Sequence, residues 1–165
     1  MARKVFFSFH YDIDAWRASQ VRNMGTLEGN TPCSDNDWET VKKGGDKAIE
    51  KWIADQLVGR SCAVVLVGGQ TASRKWVIHE ILASWNAGKG VVGIRIHNLK
   101  DTAGNYGTYG ANPFDQVSLQ NGTKLLSTVV KLYDPPGVLS TDVYKCIKDN
   151  IGAWVEEAIT IRANA

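Results

Sequence analysis

The chain has 165 residues, with 19 Lys and Arg against 17 Asp and Glu and a formal net charge of +2. A domain of about 150 residues buries roughly 70% of its unfolded surface, so this length suits one domain with a sizeable core. We therefore expect residues 1–165 to form a single domain. Basic residues occur only in short runs, which argues against nucleic acid as the main partner.

The cysteines and the apolar segments bear on where the protein acts. Cys33, Cys62 and Cys146 lack metal-ligand spacing and are expected to be reduced thiols of the cytosol. No apolar run approaches the ~20 residues that span a bilayer, and residues 1–4 carry no signal-peptide pattern. We expect a soluble, cytoplasmic protein that does not bind membranes.

The first elements in chain order are a strand and a helix. Residues 3–9 are rich in branched and aromatic side chains, which predicts a strand. Residues 13–24 place Ile13 and Trp16 at helical spacing, so we predict a helix with those side chains on its buried face and with Asp12 as its N-cap.

The rest of the chain continues this alternation of strands and helices. The further predicted elements are an edge strand within 25–36, a helix over 46–58, a strand over 62–67, a helix over 73–86 capped by Ser73, a strand over 91–97, a loop over 98–122 with a short helix near 112–116, a strand over 125–133 and a helix over 141–162. This pattern predicts an α/β, flavodoxin-like, three-layer fold with a mainly parallel five-stranded sheet flanked by helices.

The helix over 73–86 carries one carboxylate, Glu80. An apolar stripe on this helix is predicted to pack on the sheet and consists of Val77, Ile78, Ile81, Leu82 and Trp85. Glu80 lies about 130° from the centre of that stripe, so we expect it to face outward, with Trp76 on the same side. A carboxylate beside an indole suits a flat, cationic or sugar-bearing ligand. An ordinary solvated glutamate with a tryptophan at the rim is the alternative.

Further polar and aromatic residues follow the first strand. In a flavodoxin-like sheet, ligands bind at the carboxyl ends of the first and third strands. The side chains that would meet the 68–76 loop and Glu80 there are Ser8, Phe9, His10, Tyr11 and Asp12. Together these side chains could bind a ribose and an aromatic ring. Each also has a structural explanation: Asp12 can cap a helix, Phe9 can fill the core and His10 can be an ordinary loop histidine.

Several familiar chemistries are missing from the sequence. The chain has no P-loop, no Gly-x-Ser-x-Gly elbow and no zinc-ligand spacing, so we expect no metal site. One carboxylate is enough to cleave the nicotinamide–ribose bond of NAD, because nicotinamide leaves as a neutral pyridine and needs no general acid. NAD cleavage is thus one reaction that the sequence permits, and it would need no cofactor beyond NAD as the substrate.

Five segments carry a family resemblance, and they occur in the family's order. They are residues 5–11, 34–39, 73–81, 92–96 and 112–115. These segments resemble the TIR-like domain family, in particular the TIR proteins of bacterial Thoeris antiphage systems. The resemblance implies a TIR-like fold, consumption of NAD and a catalytic glutamate at Glu80.

The same resemblance implies roles for other residues and for partners. Residues 8–12 and Trp76 would line the nucleotide site, Asn112 would approach it, and Trp38 would lie in a loop that meets a neighbouring subunit of a homo-oligomer. The product would be an ADP-ribose-type signal in a cyclic form, which acts on a separate effector protein. A phage-derived trigger would start the reaction.

Two other functions are compatible with the same sequence. One is a non-catalytic TIR-like adaptor that works by protein–protein interaction, with Glu80 as a surface residue. The other is a deoxyribosyltransferase-like enzyme that breaks a different glycosidic bond with the same carboxylate.

Overall fold

A computed structural model describes residues 2–30, 35–120 and 122–165, without the side chains of residues 35, 36 and 38. The strands are β1 (Val5–Ser8), β2 (Cys62–Val67), β3 (Gly90–Arg95), β4 (Ser118–Leu119), β5 (Lys124–Leu125) and β6 (Leu132–Tyr133). The helices are α1 (Tyr11–Arg22), α2 (Asp35–Lys42), α3 (Asp46–Leu57), α4 (Lys75–Asn86) and α5 (Ser140–Ala163). Short 3₁₀ helices span Thr71–Ser73, Pro113–Gln116 and Leu126–Thr128.

Four parallel strands form the main sheet in the order β1-β2-β3-β6. Every residue of β2 and β3 is buried, as expected for parallel strands covered on both faces. On the outer edge of β1, Lys4 pairs in parallel with Glu28 through a single bridge. The predicted α/β fold is confirmed, and within the described residues the edge strand predicted in 25–36 is reduced to this bridge.

Helices cover both faces of the sheet. On one face, α1 and α5 pack on β-strand side chains in a core that includes Phe7, Val64, Ile94 and Ile147. On the other face lie α4 and the segment 113–130, while α3 packs on Phe6. None of the described helices is long and apolar enough to cross a membrane.

The strand predicted over 125–133 is wrong. Only its two ends are extended: β5 pairs with β4 as an antiparallel hairpin, and β6 pairs with β3. Between them the chain forms a 3₁₀ turn that places Leu126 in the core with no exposed surface. The apolar residues of this stretch fill a core by turning inward, which the pattern alone did not distinguish from a strand.

Helix α1 occurs where it was predicted, but with a different face toward the core. Ile13 and Trp16 are 44% and 50% exposed, whereas Asp14 and Arg17 are buried. Asp12 is the second residue of the helix and not its N-cap. The N-cap is His10, whose side chain forms no capping hydrogen bond. The buried face of α1 is therefore partly ionic, which an apolar pattern does not predict.

Two further differences concern helix starts. Arg74 occupies the N-cap position of α4, and the predicted cap, Ser73, instead ends the preceding 3₁₀ helix. Helix α2 was not predicted, because its sequence, DNDWETVK, is mostly polar and offers no apolar stripe.

Candidate active site around Glu80

The central contact of the site joins the end of β1 to the middle of α4. The Ser8 hydroxyl donates a hydrogen bond of 2.8 Å to Oε1 of Glu80. Both residues are buried, with Glu80 only 5% exposed. Glu80 lies next to the first strand as predicted, but its predicted outward orientation is wrong.

The error arises from the rotation of α4. Its buried residues are Val77, Glu80, Ile81, Ser84 and Trp85. Leu82, which was predicted to lie in the apolar stripe, is 38% exposed. The buried face is thus rotated toward Glu80, because the helix lies across the end of β1 where Ser8 supplies a polar partner.

A small cavity of about 20 Å³ adjoins Glu80. Its lining is mainly aromatic and consists of Phe6, Phe7, Phe9, Asn30, Trp52, Trp76 and Glu80. The Oδ1 atom of Asn30 accepts a 2.8 Å hydrogen bond from the backbone N–H of Phe7, which fixes the chain after Glu28 against β1. A cavity of this size holds about one water molecule.

The electrostatics of the site depend on the buried carboxyl group of Glu80. Burial raises the pKa of Glu80 to about 8, and the hydrogen bond from Ser8 partly opposes that rise by stabilising the ionised form. Near neutral pH the carboxyl group of the unliganded protein is therefore largely protonated. A positive charge in the cavity would favour the carboxylate over the acid.

The residues after β1 have separate positions. Phe9 lines the cavity, and Tyr11 stacks on it with ring centroids 6.3 Å apart. His10 is buried, and burial together with the positive charge of Arg74 lowers its pKa, so its ring is neutral at neutral pH. Asp12 is exposed on α1. Of the predicted group, Ser8 thus contacts Glu80, Phe9 lines the same cavity and Tyr11 stacks on Phe9.

Trp76 and Trp38 had been predicted to help form the site. Trp76 lines the cavity one helical turn before Glu80, as expected. The guanidinium of Arg74 stacks on its indole, 3.6 Å from the ring centroid. Trp38 lies on α2, and its side chain is outside the described part of the structure.

Asn112 does not line the Glu80 cavity. Its Oδ1 atom accepts a 2.9 Å hydrogen bond from the backbone N–H of Phe114 and caps the Pro113–Gln116 turn. The loop before Asn112 packs closely against the residues that follow β2. A Cβ at Gly110 would lie only 2.3 Å from the carbonyl oxygen of Gly68. Asn112 is therefore positioned by this loop, and its role in substrate binding stays a prediction.

An ionic cluster fixes the long loop beside the site. Arg17 donates hydrogen bonds to the backbone oxygens of Leu99 and Asn105 and forms an ion pair with Asp14. A Cβ at Gly68 would lie 2.1 Å from the Asp14 carboxylate, so a glycine is needed for this close approach. Among the described residues, no three His, Cys, Asp or Glu side chains are grouped as metal ligands.

The sequence analysis missed four cavity residues. Phe6 could have been found, because period-two alternation puts it on the same face of β1 as Ser8. Phe7, Asn30 and Trp52 offered no comparable indication, since Trp52 matched an ordinary helix stripe and Asn30 lies within the turn-rich stretch 25–36.

Comparison with known proteins agrees with this arrangement. The family model for the TIR-like domain of the Thoeris protein ThsB matches residues 6–101, more than half of the chain. The chain belongs to this TIR-like family. The matched region includes residues 6–8 of β1, all of α4 and the residues that line the Glu80 cavity, so the family assignment and the site rest on the same part of the fold.

A curated relative comes from Bacillus cereus (strain MSX-D12) and is named "Putative cyclic ADP-D-ribose synthase ThsB1". The two sequences are 39% identical over 125 residues, which cover 73% of this chain and 65% of the relative. The match therefore extends over about two thirds of the relative's length, and its name describes that protein.

Proposed function

We propose that this chain cleaves the nicotinamide–ribose bond of NAD, with Glu80 as the catalytic carboxylate. The observation that supports this proposal is the Ser8–Glu80 hydrogen bond at the wall of an aromatic cavity. Burying an ionisable group without a counter-ion costs free energy, and such groups concentrate at functional sites. No cationic side chain among the described residues shifts the pKa of Glu80, and a cationic substrate would supply a positive charge beside it.

The chemistry follows from the charge of the nicotinamide ring. The ring is a cationic pyridinium in NAD, so its entry favours the ionised form of Glu80. When the bond from ribose C1′ to the ring nitrogen breaks, its electron pair leaves with nicotinamide, which becomes neutral. The positive charge then lies on the ribosyl group, where the Glu80 carboxylate stabilises it. The aromatic face of Trp76 offers a platform for the ring.

The second half of the reaction decides the product. Attack by water at C1′ gives ADP-ribose, whereas attack by a nucleophile of the same molecule gives a cyclic ADP-ribose isomer; either attack releases one proton. We propose the cyclic product, which the name of the Bacillus cereus relative supports. In this proposal the product carries an antiphage signal to a separate effector protein, and a phage-derived trigger and a homo-oligomer take part.

Substrate entry requires the site to widen. Ligand pockets usually measure about 300 to 1,000 Å³, while the cavity beside Glu80 measures about 20 Å³. The nicotinamide riboside group must therefore displace part of the wall. Trp76 is half-buried, and it separates this cavity from a larger groove on its other side.

The test compares substrates. Purified protein is incubated with NAD or with deoxyadenosine, alone and with lysate of phage-infected cells that lack the gene for this chain. We expect free nicotinamide from NAD and no adenine from deoxyadenosine. Adenine release would favour the deoxyribosyltransferase-like enzyme, and no base from either substrate, even with lysate, would favour the adaptor.

A further inference from the structure

A wide groove lies on the outer side of Trp76. It measures about 600 Å³ and is bounded by the end of α2, the start of α3 and the start of α4. Its lining includes three basic residues, Lys42, Arg74 and Lys75, and one acidic residue, Asp46. The groove is thus large enough for part of a nucleotide and carries a net positive charge.

The geometry points to this groove as the binding site for the diphosphate of a dinucleotide; this inference rests on the proposed function. Trp76 lines both the groove and the Glu80 cavity, so the two spaces adjoin. In NAD one ribose and one methylene group separate the reacting C1′ carbon from the diphosphate. A substrate with its nicotinamide ribose beside Glu80 would therefore extend past Trp76 into the groove.

The basic side chains are arranged for an anion of this size. The Arg74 guanidinium stacks on Trp76 at 3.6 Å from the ring centroid, which holds its positive charge at the wall of the groove. Lys75 is exposed on the first turn of α4. Lys42 comes from α2 on the opposite side and, within the described part of the chain, forms an ion pair of 4.0 Å with Glu39. Positive charges on two sides of the groove would bind the two phosphates of the diphosphate by electrostatic attraction.

The start of α4 adds to this field. The helix has 12 residues and no acidic residue in its first turn, and among the described residues no side chain caps it. The partial positive charge of its N-terminus therefore adds to that of the basic side chains. Asp46 opposes an anion and Glu39 partly offsets Lys42, which leaves three basic side chains against these two carboxylates.

The test measures binding of inorganic pyrophosphate and of NAD without requiring turnover. The groove variant is Lys42→Gln/Lys75→Gln, and its control is Lys145→Gln/Lys148→Gln, which removes the same charge from the exposed face of α5. Pyrophosphate affinity is measured by calorimetry on the full chain. NAD affinity is measured in the Glu80→Gln background, so that substrate is not consumed.

We expect the groove variant to bind pyrophosphate and NAD about tenfold more weakly than the control, since each exposed ion pair contributes up to ~1 kcal/mol. Nicotinamide riboside, which lacks phosphate, should bind both variants equally. Equal NAD or pyrophosphate affinity in the two variants, or the same loss for the riboside, would overturn the inference. Failure of the wild type to release nicotinamide, with groove-dependent pyrophosphate binding intact, would instead refute the proposed cleavage and leave the groove as a diphosphate site.

Discussion

The hydroxyl of Ser8 and the carboxyl group of Glu80, 72 positions apart in the sequence, meet at 2.8 Å in the interior of the protein. The contact holds one carboxyl oxygen of Glu80 at the end of β1. Because a donated hydrogen bond stabilises the ionised form, Ser8 lowers the pKa that burial raises. Ser8 is thus placed to position Glu80 and to tune its charge.

Replacing Ser8 with alanine should weaken catalysis and shift its pH dependence. Without the donor the pKa of Glu80 rises further, so the pH at half-maximal kcat/KM should move upward, with a ~10- to 100-fold loss at pH 7. Ser84→Ala is the control, because Ser84 is equally buried and donates to the backbone oxygen of Glu80 rather than to its carboxyl group. Identical pH profiles for both variants would contradict this role of Ser8.

The buried carboxyl group should also make stability depend on pH. The pKa of Glu80 is about 8 in the folded protein, above its ordinary value of 4.5, so the fold favours the protonated form. This contribution is complete below pH 4.5 and is lost as the pH rises through about 8. Urea melts of wild type and Glu80→Gln from pH 5 to 9 should show the wild type losing stability relative to the variant. A pH-independent difference would mean that Glu80 is ionised and solvated in the fold.

Ile81 and Leu82 give a matched test of the rotation of α4. Ile81 has no exposed surface, while Leu82 is 38% exposed. Ile81→Ala should lower the free energy of unfolding by about 2 to 5 kcal/mol through loss of packing and cavity formation, and Leu82→Ala should cost clearly less. The check is a pair of denaturant melts; equal losses would mean that the helix is rotated differently and that Glu80 is not buried.

Gly90 lies where α5 crosses β3. A Cβ at this position would lie 2.8 Å from the backbone nitrogen of Ile159, so Gly90→Ala must shift the helix and should cost about 1 to 3 kcal/mol. Gly152→Ala is the control on α5 itself, because its Cβ would meet only Thr26 at 3.5 Å, and alanine favours a helix by up to ~1 kcal/mol over glycine. Thermal melts that rank the two variants in the opposite order would contradict the packing of α5 on β3.

Sequence patterns predicted the fold where hydrophobic burial dominates. The run Cys62–Val67 is buried on both faces and was located to the residue, because a continuous apolar strand bounded by turns has few alternatives. The prediction failed where polar groups are buried. Asp14 and Arg17 occupy the inner face of α1 through ionic and backbone contacts that no apolar periodicity encodes.

In the candidate site, too, the sequence predicted some features and not others. The topology rule for parallel sheets brought Ser8 and Glu80 to one edge, and the structure joins them. The burial of Glu80 could not be predicted from a helical wheel, since it depends on where α4 crosses the sheet. The contribution of Trp52 depends on packing of α3 against α4, which is a long-range property.

The role of Glu80 is tested most directly by the release of nicotinamide from isotopically labelled NAD, compared between wild type and Glu80→Gln. Each protein is incubated with labelled NAD and with lysate of infected cells that lack the gene for this chain. The labelled products are then identified by mass spectrometry. We expect wild type to release labelled nicotinamide and a labelled ADP-ribose product, and the variant to be slower by at least ~100-fold. Circular dichroism should show the variant folded. A folded Glu80→Gln protein that keeps half of the wild-type rate would contradict the assignment of Glu80 as the catalytic carboxylate.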